Sequence, residues 1–321
     1  MDLKFDKNKF LEDLRREFGP EASLRGRLQQ LEENIAAEST ETDSITEKIR
    51  TMFKNNKLTL VAAIVLCIII LTAVFAPFVA PHDPNEVNMG EELQAPSWRF
   101  LLGSDEFGRD ILSRIIHGAR VSLIVGFVPT IISMAIGITL GLISGFFGGA
   151  VDFVIMRLAD IVLAFPSFLL ALLIMYTFEP SLLVLFVALS FVNWAGTARV
   201  VRSQTLSFKE KEFVEAARSI GVKRFKIMLK HILPNCLPSL IVLFTLNIPG
   251  SIMTESGLSF LGVGIQPPRS SWGLLVNRYR RYIFQIPVAA LAPGQAILIV
   301  VLAFNFLGDG LRDTMDPYMK E

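Results

Sequence analysis

Charge and apolarity are segregated along this chain. Residues 1–57 carry eleven Lys or Arg and twelve Asp or Glu, and then Leu58 to Ala80 carries no charge at all. Further uncharged runs cover Val121–Val151, Ile161–Phe178, Pro180–Ala198, Ile232–Thr254 and Tyr282–Gly308, each of 18 residues or more. About 20 helical residues cross a hydrocarbon layer of roughly 30 Å. The pattern therefore predicts an all-α, polytopic membrane protein with six transmembrane helices. One or two buried helices of a soluble core do not account for six such runs. The second run, of 31 residues, is too long for one upright helix, and its end, Gly145-Phe146-Phe147-Gly148-Gly149, reads as a turn. The first run lies behind a long charged segment, which predicts a retained anchor rather than a cleaved leader.

Composition narrows the chemistry. The 321 residues are 52% hydrophobic and 19% charged, below the roughly one quarter charged that soluble domains average. A net charge of +1 gives no whole-chain attraction to nucleic acid. Cys67 and Cys236 make no CxxC, and His82, His117 and His231 are never four apart, so no HExxH helix exists. There is no GxxxxGK[ST] phosphate loop and no Gly-Lys pair anywhere. No nucleophile, base and oxyanion-donor arrangement stands out either.

Lys and Arg near the spans set orientation. With the N-terminus inside, sixteen of them fall on the inner side and eight, all Arg, on the outer side. Both termini are therefore expected in the cytoplasm, in a lipid bilayer. Before the first span, Phe10, Leu11, Leu14 and Phe18, and then Leu24, Leu28, Leu31 and Ile35, form helical stripes. They suit either a surface helix or a dock for a partner. Glu38 to Thr46 reads as a linker.

The longest inner loop, 202–236, is basic and amphipathic. Phe208, Phe213, Val214 and Ala217 can share one helical face, and Gly221 can close that helix with a left-handed C-cap. Phe225, Met228, Leu229 and Ile232 form a second face, and Pro234 predicts the next break. Two short helices joined at a glycine suit either a helix-in-groove contact with a partner or lipid headgroups.

Glu215-Ala216-Ala217, Gly221 and Ile232-Leu233-Pro234 resemble the EAA loop of membrane subunits of bacterial ATP-binding-cassette importers. LLGSDEFGRDILSRIIHGARVSL (101–123), GGAVDFVIMRLADIVLAFPSFLLAL (148–172), ESGLSFLGVGIQPPRSSWG (255–273) and LGDGLRDTMDP (307–317) are similar to segments of the dipeptide, oligopeptide and nickel permease subfamily. The combination resembles the second, C-type permease of a pair. That resemblance implies a coupling helix seated in an ATPase cleft, with Phe213, Glu215, Ala216, Ala217, Gly221 and Pro234 as its residues. It implies a second homologous permease, two ATPase subunits that bind ATP and Mg, and an extracytoplasmic substrate-binding protein. It implies a bacterial inner-membrane location and no cofactor or enzymatic activity in this chain. The expected solute is a di- or oligopeptide, with nickel chelates and glutathione-like solutes as alternatives.

The expected organisation is an N-terminal extension (1–57), a first span (58–80), an extracytoplasmic segment (81–120), a permease core (121–317) and a tail (318–321). The resemblance does not reach residues 1–50.

Single residues carry further expectations. Arg157 and Asp160, three apart, form either a local pair or a gating or inter-subunit pair. Asn193 and Asn247 are central polar groups that either face the pathway or bond across helices. Glu255, about 25 Å along a helix from residue 238, is either a solvated carboxylate at the outer face or part of a gate. Gly137, Gly141 and Gly145 predict close helix packing, against this chain or its partner. Trp98, Trp194 and Trp272 read as interface or packing aromatics. Asp160 and Asp309 also raise an intramembrane aspartyl protease. The sequence before Asp309 lacks the GxGD glycine, and Asp160 lacks the preceding Tyr. A stand-alone secondary transporter leaves the basic loop unexplained.

Overall fold

The computed structural model describes residues 52–53 and 56–315. The N-terminal stripes and the final residues, 316–321, lie outside the described residues. Among the described residues there is no β-strand, only an isolated bridge between Ser104 and Asp110.

Helix α1 (Lys57–Val74) starts at Asn56, whose side chain accepts from the amides of Leu58 and Thr59 at 3.1 Å. It ends before Pro77, and a short turn of helix, α2 (Ala76–Val79), follows at an offset because proline cannot continue the ladder. Helix α3 (Ile111–Phe147) is capped by Asp110, which accepts from the Ser113 amide at 2.9 Å. Its 37 residues extend about 55 Å, well beyond one hydrocarbon layer. The surplus lies at the start, where Arg114, His117 and Arg120 precede the apolar run. The expected turn at 145–149 is shorter than the sequence reading. Gly145 is helical, and the reversal is made by Gly148 and Gly149, with φ of 65° and 55°.

The third span is bent. Helices α4 (Gly149–Ala164) and α5 (Ser167–Thr177) meet at 86°, because Pro166 forces Phe165 into extended backbone (φ −95°, ψ 140°). Helix α6 (Leu182–Phe208) follows, then α7 (Glu212–Ser219). Helix α8 (Arg224–Phe260) contains a π turn at Met228–Ile232. The break expected at Pro234 does not occur. Pro234 sits in the first turn after the π turn, where missing hydrogen bonds are tolerated, and the helix runs on. Helix α9 (Trp272–Tyr279) and α10 (Pro287–Met315) complete the chain. Five helices are long and apolar enough to cross a membrane, and the bent α4–α5 pair makes the sixth segment.

The α3–α6 contact dominates the packing. It answers the glycine question: Gly137, Gly141 and Gly145 lie against Thr197, Ala198 and Thr205 of this chain's own α6. Nearer the start of α3, Thr130 and Ser251 of α8 share a hydroxyl contact at 3.1 Å, and α1 packs on α10 with Gly310 against Thr59. Large apolar side chains such as Ile68, Leu173 and Leu298 stay exposed, as expected where the solvent is lipid.

Candidate functional site

The loop between α6 and α8 folds into a corner. Helix α7 is closed by two bonds, Val222 amide to Ala217 carbonyl at 3.1 Å and Gly221 amide to Arg218 carbonyl at 2.9 Å. This is the Schellman pattern, and it needs a left-handed residue at Gly221, whose φ is 76°. A Cβ at Gly221 would meet nothing within 4 Å, so the constraint is the backbone conformation and not space.

One face of the corner is held and the other is open. Val214 and Ala217 are buried in a cluster with Met134, Leu142, Phe146, Val201, Ile227, Met228, Ile232 and Leu240. That cluster joins α7 to α3, α6 and α8 together. Glu215, Ala216 and Gly221 face outward, with Phe213, Ile220 and Phe225 exposed by 40%, 80% and 68%. Two placements differ from the sequence reading. Phe213 is not on the buried face with Val214, and Phe225 and Leu229 are not buried with Met228 and Ile232. The π turn interrupts the 3.6-residue period on which that face was drawn. Among the described residues the Glu215 carboxylate accepts no hydrogen bond, so it does not brace the corner. Pro234 is exposed.

What braces the corner was missed by the sequence reading. Arg202 of α6 donates from Nε and Nη2 to the two carboxylate oxygens of Asp152 at 2.5 and 2.6 Å. The Ser144 hydroxyl donates to the same carboxylate. Lys209 Nζ donates to the Gly145 carbonyl at 3.2 Å, and Arg218 lies 5.5 Å from the Phe146 ring centroid. All of these tie the corner to the C-terminal end of α3 and the start of α4. Asp152 and Arg202 are 50 residues apart, so no local spacing signals them.

Arg157 and Asp160 do not pair. Arg157 lies over the Phe153 ring at 5.3 Å, while Asp160 accepts from Arg199 Nη2 at 2.9 Å. Asp160 is thus paired across the seam with α6 and not within its own helix. Asn193 and Asn247 are half-buried and make no side-chain hydrogen bond among the described residues. Glu255 is fully buried, which removes the solvated reading. Its Oε1 accepts from the hydroxyls of Ser259 and Ser271, each at 2.7 Å. Ser271 in turn caps α9 by accepting from the Leu274 amide at 3.1 Å. Glu255 thus clamps the far end of α8 to α9.

The end of the molecule opposite the corner carries an ion network. Asp105 is buried and accepts from the Phe107 and Arg109 amides at 2.9 and 3.0 Å and from Arg109 Nε at 2.7 Å. Buried Arg114 lies 3.6 Å from Asp105 and donates to the Pro84 carbonyl at 3.1 Å. Arg278 lies 3.7 Å from Glu106. Burial, and then the Arg114 charge, lower the pKa of Arg278. Burial pushes the Tyr279 phenol well above its usual value, and its hydroxyl has no hydrogen-bond partner among the described residues. Trp272 packs here as expected, donating from Nε1 to the Ile115 carbonyl at 3.0 Å, whereas Trp98 is exposed.

Five helices long and apolar enough to cross a membrane, or six segments with the bent α4–α5 pair counted as one, and a charged helical corner at one end describe a multi-pass membrane protein. Residues 137–321 match the family described as binding-protein-dependent transport system inner membrane component. Residues 44–96 match the N-terminal transmembrane domain of oligopeptide transport permease C. The chain belongs to this family of permeases. It is 44% identical to a dipeptide transport system permease protein of Alkalihalophilus pseudofirmus, over 83% of this chain and 88% of that one. It is 36% identical to an oligopeptide transport system permease protein of Bacillus subtilis, over 90% and 97% of the two chains. It is 40% identical to a glutathione transport system permease protein of Escherichia coli, over 84% and 89%. A chain of the MetNI methionine ABC transporter, in an inward-facing form, shares the fold with a TM-score of 0.53. That match is 20% identical and covers 64% of this chain and 97% of that chain.

Proposed function

We propose that this chain forms half of the translocation pathway of an ATP-driven importer for short peptides in a bacterial inner membrane. The observation that carries the solute class is the dipeptide naming of relatives at 40–44% identity over most of both chains. An extracytoplasmic binding protein delivers the peptide. A second permease completes the pathway, and two ATPase subunits bind ATP and Mg. The glutathione-transport relatives, at 39–40% identity, favour glutathione as the second reading.

The α7 corner, with Phe213, Glu215, Ala216, Ala217, Gly221 and Pro234, meets the ATPase. Support comes from its two faces: an outward face with exposed Phe213, Ile220 and Phe225, and an inward face shared with three spans. A push on the corner therefore reaches α3, α6 and α8 at once. The corner and both termini lie in the cytoplasm. Support comes from the excess of sixteen inner over eight outer Lys and Arg.

The test is uptake of labelled dipeptide, labelled glutathione and nickel in cells deleted for this chain and complemented with it. Loss of dipeptide uptake on deletion, restored by complementation, is the expected result. Unchanged dipeptide uptake with loss of glutathione or nickel uptake would overturn the peptide assignment.

A further inference from the structure

The Asp160–Arg199 pair is the least expected contact in the spans. It joins α4 to α6 at 2.9 Å, yet its side chains are 49% and 55% exposed. The seam between these helices is closed just beneath it by Ala159, Ala195 and Ala198, all fully buried. The pair therefore sits on the outer rim of the seam and is directed away from this chain.

Asp160 is eleven residues from Gly149, about 16 Å along α4, roughly half of a hydrocarbon thickness. An aspartate side chain is too short to reach headgroups from there, whereas lysine and arginine stems can. Exposed ionic groups at that depth do not face acyl chains; they face protein or water. The surroundings favour protein. Gly196 and Ser203 flank Arg199 by one turn on each side of α6 and are exposed, and a Cβ at Gly196 would meet nothing within 4 Å of this chain. Small residues of this kind let a second helix approach closely, and a polar pair among them acts as glue. The flanks on α4 are large and apolar, Phe153 and Ile161, and do not suit a wet channel for a polar solute. Arg157, on the same side of α4, makes no ion pair among the described residues, so a carboxylate on the occupant would complement it.

We infer that the α4–α6 face bearing Asp160, Arg199, Gly196 and Ser203 is the surface on which the paired permease subunit packs. This rests on the permease reading but not on the identity of the solute. A failure here leaves the peptide-uptake result untouched.

The test uses the full complex in lipid vesicles, with Cys67→Ser and Cys236→Ala as background. Spin labels are placed by Gly196→Cys and Ser203→Cys, with Ile68→Cys on exposed α1 as the lipid control. Collision with oxygen reads lipid, and collision with a water-soluble nickel chelate reads water. The expected result is loss of both at Gly196 and Ser203, with oxygen collisions kept at Ile68. A label at Gly196 that blocks recovery of the second permease, while one at Ile68 does not, supports the interface equally. High oxygen collision would overturn it in favour of lipid, and high nickel collision in favour of an open path. A photo-cross-linking residue at Ser203 gives an independent reading. An adduct with the second permease is expected, and adducts only with lipid would refute the interface. Asp160→Asn should lower recovery of the second permease about threefold to eighteenfold, the range for polar contacts between membrane helices. Unchanged recovery would count against it.

Discussion

Replacing Gly141 by alanine adds one methyl group at a close contact between α3 and the backbone of α6. Its Cβ would stand 2.6 Å from the Ala198 carbonyl oxygen and 2.7 Å from Val201 Cβ. Ordinary C···O contact begins near about 3.3 Å, so α6 has to retreat by about 0.7 Å. The nearest atom is backbone, which cannot rotate away. Gly137 and Gly145 hold the same helix at similar range, so the retreat opens the seam on both sides. A gap of this size forfeits a quarter to a half of the dispersion attraction along it. Overpacking of this kind costs about 1–3 kcal/mol. At about 2–4 °C per kcal/mol, the scale for chains of about 150–250 residues, the thermal midpoint should fall by roughly 2–12 °C. The assay is thermal unfolding of the purified complex in detergent. Gly294→Ala is the control, because a Cβ there meets nothing within 4 Å and the substitution improves helix propensity. If Gly141→Ala melts as the parent does, close packing of α3 on α6 is not what holds these spans together.

Four further outcomes follow from named contacts. Gly221→Val forces a β-branched residue to a φ of 76° at a cost of about 1–3 kcal/mol, and should abolish substrate-stimulated ATP turnover in the assembled complex; normal stimulation would refute the coupling role. Asp152→Ala strips Arg202 of a bidentate partner, and a loss of about 1.5–3 kcal/mol in thermal unfolding is expected, partly recovered when Arg202→Leu is added. Glu255→Leu leaves the Ser259 and Ser271 hydroxyls without their acceptor, so it should destabilise by about 1–3 kcal/mol, whereas Glu255→Gln retains an acceptor and should do so less. Tyr279→Phe removes a buried hydroxyl with no partner and should leave the midpoint unchanged or raised. The phenol pKa is higher folded than unfolded, so its contribution is complete below about pH 10 and is lost as pH rises beyond it. The variant should lack that loss in alkaline melts.

The long apolar runs, the glycine row and the Gly221 cap were legible because each depends on local properties of the chain. Residue 221 had to adopt a positive φ to end α7, and glycine reports that directly. The bend at Phe165 was available from Pro166, yet the run Ile161–Phe178 hid it, because apolarity continues across the break. The faces of the second loop helix were misdrawn because no sequence pattern announces a π turn at Met228–Ile232. The ion pairs Asp152–Arg202 and Asp160–Arg199 join residues 50 and 39 apart, and their partners are chosen by which helices become neighbours. Glu255 shows the same limit. Its helix position is readable, but the serine that buries it, Ser271, arrives from another element.

The unbroken course of α8 gives the molecule a lever arm. Arg224–Phe260 extends about 55 Å, from beside the α7 corner to the Glu255 clamp on α9. Pivoting near its middle by about 5° would swing each tip by roughly 2.4 Å in opposite directions. That displacement is comparable to the 1–2 Å helix shifts by which other proteins switch state. A small stroke delivered at one tip thus reappears, reversed in sense, at the other, without any residue between them having to unfold.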